Sequence, residues 1–134
     1  MKDKVNRNFL SHQRKRMRQL LSALESLCFK TCSSELLFHG TAIESFRRCG
    51  KAGCKCARGG DYRHGPYKSI HTIVDGKQKH ISLKKSEMRY FDMVQRYQQA
   101  KQDRAEIVDL SMRLLEIIDE LIERRTIWDK RRSD

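Results

Sequence analysis

Proline occurs once in this chain, at Pro66, and tryptophan once, at Trp128. Low-complexity tracts are absent as well. A sequence like this argues against broad disorder, even with charged residues at 34%. No apolar run approaches the ~18 residues that a membrane-spanning helix requires, so no membrane partner is expected. The segment from Met1 to Arg7 has no apolar centre of the kind a signal peptide carries. The expected location is therefore cytoplasmic and nucleoid-associated. Carboxylates are scarce in one region. Between residues 46 and 85 there are only Asp61 and Asp75. A Mg²⁺-dependent nuclease needs clustered carboxylates, so this scarcity argues against that chemistry. A chain of 134 residues also leaves little room for a tyrosine-nucleophile site around Tyr62 or Tyr67. The remaining enzymatic alternative is thiol redox chemistry at Cys54 and Cys56. No catalytic residue is assigned and the protein is read as a non-enzyme.

What the chain has in excess is positive charge, +12 in all. Eleven Lys and Arg residues lie between 46 and 85, against two acids, so this third of the chain carries +9. Residues 86–134 hold 10 basic and 11 acidic side chains, and are close to neutral. A basic block inside a folded module is the electrostatic footprint of a phosphate-backbone binder. The plainer alternative is a solvated surface that aids solubility.

Periodicity divides the chain into three segments. Residues 1–38 form an N-terminal helix and linker. The helix covers about 3 to 29, with Leu10, Met17 and Leu24 seven apart and Leu20 and Leu27 at the offset positions. Residues 39–85 form a basic hairpin and knuckle module of short strands. The strands are Ala42 to Arg48, Tyr67 to Val74 and Lys77 to Leu83, and Asp75-Gly76 is a two-residue hairpin signal. Phe46 is assigned to the core and Tyr62 to the surface. Residues 86–134 form a long helix, with Ser86 as a candidate N-cap. Met93, Ala100, Ile107, Leu114, Leu121 and Trp128 recur every seven residues. Val108, Leu115 and Ile122 widen the stripe on one side, and Leu110, Ile117 and Ile118 on the other. A helix of about 40 residues would be roughly 60 Å long. Its excess apolar surface is available for a homodimer. The expected fold class is α+β. Two long helices pack as an antiparallel hairpin or coiled coil, with a small three-stranded antiparallel sheet and a zinc loop inserted between them.

Cys49, Cys54, Cys56 and His64 follow the spacing Cys-x4-Cys-x-Cys-x7-His. Cys₃His is an established donor set for structural Zn²⁺. In a reducing compartment, five unevenly spaced cysteines point to ligands and buried thiols before disulfides. Gly50, Gly53, Gly59 and Gly60 permit the positive φ values that wrapping an ion requires. Neighbouring cations favour thiolate and offset the net charge of −1 of a zinc-loaded Cys₃His site. Three free loop thiols are the alternative. Cys28 and Cys32, with His39, form a candidate second site, against which stands simple apolar packing of both thiols.

Arg47, Arg48, Lys51, Lys55, Arg58, Arg63 and Lys68 are the candidate phosphate contacts around the knuckle. Lys77, Lys79, Lys84 and Lys85 form a second basic set on the hairpin return and the helix start. Tyr62 and Tyr67 interleave with Arg63 and Lys68, a pattern found where bases or sugars are contacted. His71 and His80 flank the hairpin within reach of phosphate. A ribbon of two or three strands fits the major groove.

The segment from Ala42 to about Lys101 resembles an uncharacterised group of small bacterial proteins. The shared pattern is Cys49-Gly50-Lys51, then Cys54-Lys55-Cys56-Ala57-Arg58-Gly59, then His64-Gly65-Pro66-Tyr67, with a hairpin near Gly76 and a charged helix. The resemblance leaves out the first helix. It implies a metal site and a setting beside transposase or recombinase genes, and carries no established activity. The expected function is a zinc-stabilised accessory protein that binds nucleic acid, double-stranded DNA first, and assists a transposase or site-specific recombinase. The alternatives are an RNA-binding protein and a helical adaptor whose metal loop is purely structural.

Overall fold

The computed structural model describes residues 6–127, so Trp128 and the expected helical residues 3–5 lie outside the described part. In chain order the elements are α1 (Arg7–Thr31), β1 (Thr41–Arg47), β2 (His64–Val74), β3 (Lys77–Ser82) and α2 (Met88–Arg125). Short 3₁₀ turns occupy Lys55–Ala57 and Lys85–Glu87. The fold class is α+β, with a three-stranded antiparallel sheet lying between two helices in sequence. Among the described residues no helix is long and apolar enough to cross a membrane. The chain divides into two units. One is Ser34–Lys101; the other combines the residues up to Ser33 with those from Gln102 onward.

In the first unit the sheet order is β1-β2-β3. Ala42 pairs with Ile70, which pairs in turn with Ile81. The hairpin forms at Asp75-Gly76, with φ of 51° and 75°. Two consecutive positive φ values match the right-handed strand twist, which is why this dipeptide closes tight hairpins. One sheet face packs on residues 88–101 of α2. Ile70, Phe91 and Val94 are buried there. Thr72 Oγ1 donates to the His39 carbonyl at 2.7 Å, and the His39 ring lies 5.2 Å from Tyr97. The Phe38 N–H reaches the Met93 carbonyl at 3.3 Å and its ring meets Tyr90 edge-on.

Two local expectations are corrected in this unit. Phe46 is 57% exposed and takes no part in the core. The register slips between Ser45 and Arg47, and a bulge ends the strict alternation on which that assignment rested. Ser86 does not cap the long helix. It sits inside the 3₁₀ turn, where the Glu87 carboxylate accepts the Lys84 N–H at 3.0 Å. A carboxylate reaching back over the first turn satisfies a donor that a serine would otherwise cap.

In the second unit, Asn6 caps α1 by accepting the Asn8 N–H at 2.9 Å. The helix runs two residues past the expected end, and the Thr31 hydroxyl bonds the Leu27 carbonyl at 2.8 Å. Leu10, Met17, Leu20, Leu24 and Leu27 are all half-buried, as the heptad spacing requires. Gln13 fills the same stripe and is buried, donating to Glu120 at 3.0 Å. Further along, Lys30 pairs with buried Asp103 at 3.3 Å, and the Arg124 guanidinium lies 3.9 Å over the Phe9 ring. Val108, Leu115 and Ile122, on the widened side of the stripe, are exposed.

Candidate metal centre

The connection between β1 and β2 carries the four candidate ligands. Cys49 follows β1, Cys54 and Cys56 flank the start of the 3₁₀ turn, and His64 opens β2. The turn is built by Cys54 N–H to Lys51 carbonyl at 3.1 Å, Ala57 N–H to Cys54 carbonyl at 3.0 Å and Arg58 N–H to Lys55 carbonyl at 3.3 Å. Gly50, Gly59 and Gly60 take positive φ of 78°, 81° and 79°. Gly53 does not, so the conformational role expected of it falls away. Gly65 is the glycine that contact demands. A Cβ there would stand 2.8 Å from the Ser45 carbonyl oxygen and 3.0 Å from the Phe46 ring.

These turns bring one ligand atom from each of the four residues within 4.8 Å of one another. Cys54 Sγ lies 3.0 Å from His64 Nε2, and Cys49 Sγ lies 3.5 Å from Cys56 Sγ. Corners of a tetrahedron about Zn²⁺, at about 2.3 Å for sulfur and 2.0–2.1 Å for nitrogen, stand roughly 3.4–3.8 Å apart. The observed separations bracket that spacing, so the residues fit the ion. Cys56 is buried, Cys54 and His64 are half-buried and Cys49 is exposed.

Backbone donors surround the sulfurs. The Cys56 N–H holds the Cys54 thiol below its ordinary value of 9.0, with help from the Cys49 and His64 side chains. The Cys49 N–H, 3.4 Å from Cys56 Sγ, lowers Cys56 against the opposing cost of burial. Cys49 itself receives the Lys51 N–H, which favours thiolate, but the neighbouring Cys56 and Cys54 sulfurs together with burial push it up. A main-chain donor thus favours thiolate at each sulfur, the kind of outer support that charged metal ligands need. The Tyr62 ring meets His64 edge-on at 5.6 Å and is itself covered by Lys55 Nζ at 4.9 Å.

Among the described residues this is the one group of three or more metal-capable side chains. Cys28 and Cys32 are both exposed, so apolar packing does not account for them either.

The candidate phosphate contacts are not gathered in one place. Arg48, Lys51, Lys55 and Arg58 are exposed on or beside the metal loop. Arg63 is engaged locally, its Nη1 donating to the Gly60 and Tyr62 carbonyls at 3.0 and 2.8 Å. Arg47 lies 4.1 Å over the Tyr67 ring. Lys68 stretches 4.7 Å over Phe91 on the helix-covered face. Lys77 and Lys79, in register with Val74 and Thr72, share that side of the sheet and are exposed. Charge counting passed over the neutral polar side chains of the opposite face, Gln78 and Ser82 among them. Strand alternation was the signal that could have found them.

Compared with known proteins, residues 10–90 match the model of a domain of unknown function, DUF6788. No curated protein and no solved structure matches the chain. The match takes in most of α1, which the resemblance over Ala42 to Lys101 left out, together with the whole sheet and metal loop.

Proposed function

The chain belongs to the DUF6788 family, a domain of unknown function, and from that premise we propose that it is a zinc-stabilised, non-enzymatic protein that binds duplex DNA. One observation carries the reading: three thiols and an imidazole converge within 4.8 Å in the segment that holds most of the net charge. A small three-stranded module has little core of its own. Only Cys56, Ile70, Phe91 and Val94 are its buried apolar residues among those described. A structural ion supplies what such a core lacks. The ion fixes the loop, and the exposed cations Arg48, Lys51, Lys55 and Arg58 meet the phosphates.

The helical unit supplies the second half of the proposal, a homodimer through the long helices packed as a coiled coil. Ile117 is its one buried apolar side chain among the described residues, while Val108, Met112, Leu115 and Ile122 remain exposed along α2. A second copy of the same surface would cover them. The resemblance noted for the Cys/His segment supplies the setting, service to a transposase or site-specific recombinase. The test is titration of zinc-loaded protein into duplex DNA, single strands and structured RNA over a salt series. Duplex affinity that falls steeply with salt supports the proposal. No binding to any of the three at low salt rejects it and leaves the helical adaptor reading.

A further inference from the structure

We infer that the open face of the sheet reads base edges in the major groove of duplex DNA. The inference rests on the DNA-binding reading above and adds the element, the groove and the side chains. Alternation along β2 puts Lys68, Ile70 and Thr72 on the face that α2 covers. The opposite face has no covering element within its unit. It presents Thr41 and Ser45 from β1, His71 from β2, and Gln78, His80 and Ser82 from β3, all exposed, around exposed Ile73, half-buried Ile43 and a buried Ser69.

Three features of that face select the ligand. It carries no carboxylate. Glu44, the one acid in the strands, stands in register with Lys68 on the covered side, and Asp61 and Asp75 lie in connections. A face free of carboxylate, in a module of net charge +9, approaches a polyanion without repulsion. Apart from Arg47, which lies over Tyr67, its polar groups are hydroxyls, an amide and two imidazoles. These suit the donor and acceptor pattern of base edges, Gln to adenine in particular, where long cations suit phosphate. The His71 and His80 rings meet edge-on at 4.6 Å, directly across the ladder, so each orients the other.

Four of the six exposed polar side chains lie on β2 and β3, a two-stranded ribbon of the kind the major groove admits. Single-stranded RNA is the poorer match. Single strands are held by stacking on free aromatic rings, and Tyr67 on this face is already covered by Arg47. The deep, narrow major groove of duplex RNA would not admit the ribbon.

The experiment uses the whole zinc-loaded protein and a pool of duplexes with a randomised core. The wild type is expected to enrich a motif. Gln78→Ala and His80→Ala should each cut the preference for that motif over a scrambled duplex roughly tenfold or more, leaving the salt dependence in place. Lys51→Ala with Arg58→Ala, on the exposed metal loop, should do the reverse, flattening the salt slope by up to about 2 and sparing the preference. Zinc content and thermal unfolding monitor the fold, and Thr41→Val, isosteric and strand-favouring, gives a reader variant that keeps the strand. Open-face variants with full preference overturn the inference, as does duplex binding without any motif; the DNA-binding reading survives both. Failure of the wild type to bind duplex at low salt overturns the two together.

Discussion

At Cys54 the chemistry of the whole loop can be tested with one atom. Its sulfur touches His64 Nε2 at 3.0 Å and accepts the Cys56 N–H. Cys54→Ser replaces a soft thiolate by a hydroxyl that stays protonated. Zinc affinity should fall by more than the roughly 10–100-fold that losing an outer-shell partner costs, read as metal stoichiometry by native mass spectrometry. The thiols differ in a second measurable way. In chelated protein, Cys54 should be alkylated with a midpoint below pH 9.0 and Cys49 with one above it, since the first is lowered and the second raised. The sign for stability follows. The lowered thiol stabilises the fold above its unfolded value and loses that contribution as pH falls through its folded value. The ligand spacing was legible in the sequence because cysteines and histidine are rare and diagnostic. The backbone donors were not, because every residue but proline carries an N–H and only the turn says where it points.

Among the elements, the strands were legible nearly to their ends. Asp75-Gly76 marked the hairpin, and alternation did the rest. Phe46 was misplaced because a bulge is a break in alternation, and nothing in Ser45-Phe46-Arg47 announces it. Gly65 lies at the same junction. With φ of 140° and the Ser45 carbonyl at 2.8 Å from any Cβ, it is fixed by conformation and by contact together. Gly59 has φ of 81° and nothing within 4 Å, so conformation alone holds it. Gly65→Ala should therefore cost about 2–3 kcal/mol and Gly59→Ala about 1 kcal/mol, compared by urea unfolding of zinc-loaded protein. Equal costs would show that β1 yields to the added methyl group. Ser86 as a cap was a sound inference from type, but Glu87 one residue on took the donor through its longer side chain.

For the molecule as a whole, the helical stripe carries the last prediction. Heptad spacing placed the half-buried leucines of α1 correctly. It passed over Gln13 and Asp103, because a polar residue on an apolar stripe reads as an interruption until its partners are seen. Glu120 and Lys30 are those partners. Ionic and amide contacts of this kind fix register better than they add stability. The homodimer proposed above would cover the exposed row Val108, Leu115 and Ile122. Leu115→Glu with Ile122→Glu places four like charges across such an interface and should give a monomer by light scattering, with zinc still bound. Dimerisation also doubles the phosphates gripped per particle. The slope of log affinity against log salt is about −0.9 for each phosphate neutralised on duplex DNA. The wild-type slope should therefore be close to twice that of the monomeric variant, on the same duplex and at the same pH. A monomeric wild type, or equal slopes from a confirmed dimer and its monomeric variant, would assign the apolar row to some other partner and leave each basic module acting alone.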